Sequence, residues 1–195
     1  MIFLNNNNRL YLTSPIPQSV NHYLKHRAFK KGDKAFSTVF ETKEAKMFKR
    51  RFICEINNAV HDQGFIPDED KNKHYYCDCV FYFDRVDKDP NNYFKLLLDA
   101  ITESGSVWPD DNIVCERVNG IFYDKDNPRI EMCIYPVEYV GIFKDSISFE
   151  SFKGNCSDCR FYRSGACSIL NESKKGHVRP EITDETKCSK YAKRK

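Results

Sequence analysis

The sequence predicts an α+β domain with a small cysteine-rich appendage, and three observations predict it. Segments of strand and helix periodicity follow one another in the order β, α, β, α, β, β over the first two thirds of the chain. Strand-like patterning then gives way near residue 145 to Cys, Ser, Lys and Gly, which divides the chain into residues 1–145 and 146–195. The second segment also holds four cysteines at spacings suited to one metal.

The elements follow in order. Arg9-Leu10-Tyr11-Leu12 reads as a strand, stopped at Ser14-Pro15-Ile16-Pro17 because prolines remove backbone donors and fix extended turns. A polar loop containing Lys and Gly is expected from there to about residue 38. Thr42 is a candidate N-cap, and Ala45, Phe48, Phe52, Ile56 and Ala59 recur at helical spacing, predicting an amphipathic helix over 42–62. Tyr75 to Phe83 alternates with period two, placing Cys77, Cys79, Phe81 and Phe83 on one side and Tyr76, Asp78, Val80 and Tyr82 on the other. A second helix is expected over 91–103, started by the N-cap residue Asp89 and by Pro90, and ended by Gly105. Its apolar residues Tyr93, Phe94, Leu97, Leu98 and Ile101 occupy more than one face, which suits packing against a partner subunit. Ile113–Tyr123 and Arg129–Tyr135 then read as strands joined by the turn-rich stretch Asp124 to Pro128.

Composition bounds the function. Hydrophobic residues at 41%, with 30% charged, describe a globular chain and not a disordered one. There is no apolar run of membrane-spanning length, and the first eight residues lack the charged start and long apolar stretch of a signal peptide, so a cytoplasmic protein with no membrane partner is expected. Nine cysteines without a secretory signal point to thiols in a reducing compartment. The net charge of +3 conceals an asymmetry: residues 22–51 hold ten basic groups against three acids, while residues 68–89 are acidic. A basic surface beside an acidic cleft suits cleavage of a polyanion, since cations hold phosphates and carboxylates hold a metal.

The chemistry-bearing stretch is Asp87-Lys88-Asp89-Pro90-Asn91-Asn92-Tyr93-Phe94-Lys95, followed by Trp108-Pro109-Asp110-Asp111-Asn112. Carboxylates of this kind suit Mg2+, and a lysine beside them suits charge developing on a phosphate. Part of the pattern has a structural reading as well, with Asp89 as a helix cap and Lys95 paired to Asp99 at i+4.

These residues carry a resemblance. The order of elements, the opening Ser14-Pro15-Ile16-Pro17-Gln18-Ser19-Val20-Asn21-His22-Tyr23, the helix start Asp89-Pro90-Asn91-Asn92-x-x-Lys95 with Leu98-Asp99-Ala100-Ile101, and Trp108-x-Asp110-Asp111 are similar to RusA-type Holliday junction resolvases over about residues 9–136. The resemblance implies a small mixed sheet packed with two helices, a homodimer, branched double-stranded DNA as partner, and Mg2+-dependent cutting in recombination and repair. It implies a catalytic set of Asp89, Asn91, Lys95 and Asp111, with Asp89 and Asp111 holding Mg2+. Asn91 departs from the family pattern, which has an aspartate there, so a junction-binding protein with weakened catalysis is the alternative. Asp84, Asp87 and Asp110 are the neighbouring or substitute acids. Lys25, Arg27, Lys30, Lys31, Lys43, Lys46 and Arg50 are the expected phosphate contacts. A host or a phage or prophage element could supply the target DNA.

The appendage contains Cys156-x-x-Cys159, Cys167 and Cys188, which could complete a four-thiolate Zn2+ site or hold an iron–sulfur cluster. Such a staple would supply folding free energy that a short segment lacks. The other cysteines, Cys54, Cys77, Cys79, Cys115 and Cys133, are expected to be small buried hydrophobes.

Overall fold

The structure, a computed structural model, describes residues 8–32, 34–184 and 186–194, and divides into two compact units between Pro136 and Val137. In the first unit β1 (Leu10–Pro15) leads through a single turn of helix, α1 (Val20–Tyr23), to β2 (Leu24–Lys31) and β3 (Lys34–Glu41). Then come α2 (Lys43–Gln63), β4 (Tyr75–Phe83), α3 (Asn91–Ser104), a 3-10 turn at Asp111–Ile113, β5 (Val114–Tyr123) and β6 (Arg129–Pro136).

A four-stranded mixed sheet in the order β1-β6-β4-β5 carries two helices on one face. β4 is central: Tyr75, Cys77, Cys79, Phe81 and Phe83 are all buried, and they meet Phe52 and Ile56 of α2 and Tyr93, Phe94, Leu97 and Ile101 of α3. Removing each such side chain from water contributes about 1.5–3 kcal/mol, so this layer dominates the stability of the unit. The helix ends obey local chemistry. The Thr42 hydroxyl accepts the Ala45 N–H at 3.2 Å, and Gly105 closes α3 in the left-handed conformation at φ 67°.

The structure corrects or completes the expected elements at several points. The stretch read as a loop to residue 38 is the β2–β3 hairpin, paired from Leu24↔Glu41 to Lys31↔Lys34 and joined to no other strand among the described residues. β5 and β6 do not pair with each other, because β4 lies between them, parallel to β5 and antiparallel to β6. Their connection crosses the end of β4, where the Asp124 N–H donates to the Phe83 carbonyl at 2.7 Å. The extra apolar face of α3 is used inside the subunit: Leu96 packs in a small cluster with Tyr23 and Ala45. Lys49, counted among the basic surface residues, is buried and pairs with Glu41 at 2.7 Å and with Glu103, tying the base of the hairpin to α3. All nine cysteines are free thiols, and Cys54 is exposed instead of buried.

The second unit contains α4 (Ser146–Gly154), α5 (Ser168–Lys174), β7 (Ile182–Asp184) and β8 (Lys187–Cys188). Phe143, Phe152, Cys156 and Leu170 form its buried cluster. Gly141 is required at its place, since at φ 58° an added Cβ would stand 1.9 Å from the Ser173 carbonyl oxygen. No described helix is long and apolar enough to cross a membrane.

Candidate active site

Helix α3 fixes where the acids stand. Its first turn lies at the end of β4, with the Tyr93 and Phe83 rings 5.4 Å apart between centroids. Its last turn lies at the start of β4: Trp108 donates its Nε1–H to Thr102 Oγ1 at 2.9 Å and packs on Tyr75 at 5.9 Å. β5 runs parallel to β4, with Val114 opposite Tyr75, so Asp110 and Asp111 precede β5 at that same starting end. Asp89 and Asn91 therefore stand at one end of α3 and Asp111 at the other, about 20 Å away at 1.5 Å per residue. Lys95 lies between, on the stripe Asn91, Lys95, Asp99, where Asn91 and Lys95 are exposed and Asp99 is half-buried.

The local partners are modest. Asp89 is exposed and accepts the Asn91 N–H at 3.0 Å through Oδ1; Pro90 is the residue flanking the helix, so Asp89 holds the helix start from one position further out than expected. Lys95 reaches Asp99 at 3.3 Å with about half of its side chain in solvent, as expected for a weak i+4 pair. Asp84 pairs with Lys88 at 2.5 Å, and the Lys88 ammonium holds the Asp84 carboxyl below its usual range. Asp87 pairs with Arg85 at 2.7 Å, which occupies the acid expected to substitute at the Asn91 position. Asp110 accepts the Asn112 N–H at 3.0 Å and caps the 3-10 turn carrying Asp111. Among the described residues, no three His, Cys, Asp or Glu side chains are gathered closely enough to hold a metal ion. The four expected catalytic residues are thus not brought together within one subunit.

The cationic surface is exposed as expected at Lys25, Arg27, Lys30, Lys43, Lys46 and Arg50; the side chain of Lys31 lies outside the described residues. Sequence reasoning missed an arginine–tyrosine surface on the sheet face away from the helices, where Arg117 pairs with Asp78 and Arg129 with Asp124 and Glu131. Arg117 lies 3.7 Å from the Tyr76 ring, Arg129 lies 3.7 Å from Tyr82, and Arg9 lies 3.9 Å from Tyr135. Arg117 donates to Asp78 at 2.6 Å and to the Tyr135 hydroxyl at 2.6 Å, while that hydroxyl donates to Asp78 at 2.9 Å. Burial alone would raise the Asp78 carboxyl, but these hydrogen bonds outweigh it and hold it below its usual value. The available signal was Tyr76, Asp78 and Tyr82 at same-face positions of one strand, with Arg129 and Tyr135 at same-face positions of another.

In the second unit Cys156, Cys167 and Cys188 border one apolar cluster. Burial, then the nearby thiols of Cys167, Cys188 and Cys159, push Cys156 up to about 11. Cys159 has the opposite balance. Burial raises it, yet the nearby backbone N–H groups of Ala192, Phe161 and Tyr162 outweigh burial and hold the thiol below its ordinary value. Cys167 caps α5 by accepting the Leu170 N–H at 3.4 Å. The thiols are neighbours, but they do not form a closed metal site as they stand.

A mixed sheet backed by two helices, with acids at both ends of α3 and exposed cations on α2, is the architecture of a small α+β domain. The chain matches endodeoxyribonuclease RusA over residues 14–135, more than half its length, and belongs to that family. The family carries Holliday junction resolvase activity and acts on branched DNA. No curated protein matches the chain.

Proposed function

We propose that this chain is an Mg2+-dependent endonuclease that resolves four-way DNA junctions as a homodimer, with each active centre shared between two subunits. The observation that carries the proposal is the separation of Asp89 from Asp111 along α3. A twofold axis perpendicular to a helix at its midpoint exchanges the helix ends. Two copies packed along the Lys95 stripe of α3 would then set Asp89, Asn91 and Lys95 of one protomer beside Asp111 of its partner. The buried apolar residues of α3 are already covered within the subunit, so the contact would be polar along Asn91, Lys95 and Asp99.

The donor set suits a hard cation: two carboxylates from Asp89 and Asp111 and the amide oxygen of Asn91. Bound there, Mg2+ would neutralise phosphate charge and supply a water of lowered pKa. The chain's own residues do the rest. The Asn91 N–H orients Asp89 through Oδ1 and leaves Oδ2 for a ligand. Lys95 leaves its weak pair with Asp99 and places its ammonium against the phosphate or the departing oxygen. The exposed cations of α2 hold the flanking phosphates in a salt-dependent manner. Incubation of an end-labelled four-way junction with the protein and Mg2+ tests the reading: paired symmetric nicks are expected, whereas a gel shift without cleavage would leave the weakened binder that Asn91 permits.

A separate observation favours a metal in the second unit. The thiols of Cys159, Cys167 and Cys188 neighbour Cys156, and backbone N–H groups near Cys159 favour its thiolate. We infer that side-chain rotation closes them on one Zn2+, with an iron–sulfur cluster as the alternative. Elemental analysis of the purified protein should return about one zinc per chain, lost in Cys156→Ser; a metal-free protein with an unchanged melting temperature would reject it.

A further inference from the structure

The β2–β3 hairpin forms a sheet of its own, and its described side chains from Lys25 to Lys30 and from Lys34 to Phe40 are all exposed. An isolated ribbon of this kind has little stability in water unless something else fixes it. Here the base is fixed. The Thr42 N–H donates to the Tyr23 carbonyl at 2.9 Å, the Thr42 hydroxyl donates to Gln18 at 2.6 Å, and Glu41 pairs with buried Lys49. Beyond that base two eight-residue strands extend about 27 Å at 3.4 Å per residue.

The register sorts its side chains. Directly paired residues share a face, so Lys25 with Phe40, Arg27 with Thr38, and Phe29 with Phe36 lie on one side, with Lys34 in the same alternation. The opposite side carries His26 with Val39, Ala28 with Ser37, and Lys30 with Ala35. Phe29 and Phe36 are stacked, with centroids 5.6 Å apart and planes 18° from parallel, yet they are 44% and 43% exposed; Phe40 is 46% exposed. Three large rings in water, set between cations on one face of an arm, are costly to leave open.

We propose that this face binds nucleic acid at unstacked bases, the phenylalanines stacking on bases at a branch point while Lys25, Arg27 and Lys34 hold the adjoining phosphates. Cations interleaved with aromatics complement a polyanion carrying flat apolar surfaces, and base stacking does not depend on sequence. The proposal rests on the nuclease reading and deepens it, by naming the open centre of the junction as the element the arm reads.

The test uses the full chain, without a divalent cation to prevent cleavage, and a four-way junction carrying 2-aminopurine at the branch point beside a fully paired duplex of the same length. The wild-type protein should change the branch-point fluorescence. The double variant Phe29→Ala/Phe36→Ala should lose that change and bind the junction about 10- to 100-fold more weakly, with duplex binding nearly unaltered. Phe36→Trp should retain both effects, which separates stacking from a folding defect. Equal weakening on junction and duplex, unchanged junction affinity in the double variant, or a lower molecular mass of that variant by analytical ultracentrifugation would overturn the proposal, the last by assigning the arm to a second copy of the chain. Failure of the wild-type protein to prefer the junction would instead reject the nuclease reading itself.

Discussion

Two inactive variants should restore each other if the active centre is shared. Asp89→Asn and Asp111→Asn each remove one carboxylate, so each homodimer should have two broken centres. In a mixed dimer one centre collects both substitutions and the other collects neither. Random pairing makes about half of the dimers mixed; purification through both tags keeps only these, each with one sound centre of two, so about half of wild-type centres should return. The geometry leaves little room for another outcome. The two acids stand about 20 Å apart along α3, while carboxylate oxygens bind Mg2+ at about 2.1 Å, a gap no side-chain rotation closes. The assay is single-strand nicking of a labelled junction by the two variants co-expressed with different tags and purified through both. Nicks of one strand, without the paired cut, are expected. A doubly tagged dimer that binds the junction but does not nick it would refute the shared centre.

Asn91→Asp should restore a charge to the site, lowering the Mg2+ concentration needed for half-maximal cleavage by several-fold; an unchanged Mg2+ titration would place Asn91 outside the metal's reach. Asp78 has a folded-state carboxyl held below its usual value, chiefly by Arg117 and Tyr135 acting against burial. Its contribution is therefore present above about pH 4 and lost as pH falls through the depressed value. Asp78→Asn should flatten the fall in melting temperature between about pH 5 and 3, measured by calorimetry. Thr42→Ala removes the cap on Ala45 and the partner of Gln18, and should cost about 1 kcal/mol, or a fall of about 2–4 °C in melting temperature.

What the sequence revealed was whatever burial had written into it. β4 is legible because alternate residues from Tyr75 to Phe83 face one core, and α2 because Ala45, Phe52 and Ile56 do the same at helical spacing. Thr42 and Gly105 marked helix ends through hydrogen bonds and backbone conformations that few other residues supply as well. The ribbon was missed for the converse reason. Neither of its faces is buried, so its alternation is of cation with aromatic, which resembles a charged loop. Gly32, with φ 62°, followed by Asp33 between two such runs, was the signal available for a two-residue hairpin.

The candidate acids stand plainly in the sequence and their separation along α3 does not, although half of the reason lies in the chain. A strand, a helix and a strand in one sheet usually form a parallel crossover, which already sets the acids before the second strand at the far end of the helix from the acids after the first. β4, α3 and β5 follow that rule. One subunit with this connectivity separates the two acidic groups by the length of its own helix. A twofold partner can reunite them, and doing so creates two centres related by the same axis. Paired, symmetric incision of a four-way junction would then follow from the direction of one strand.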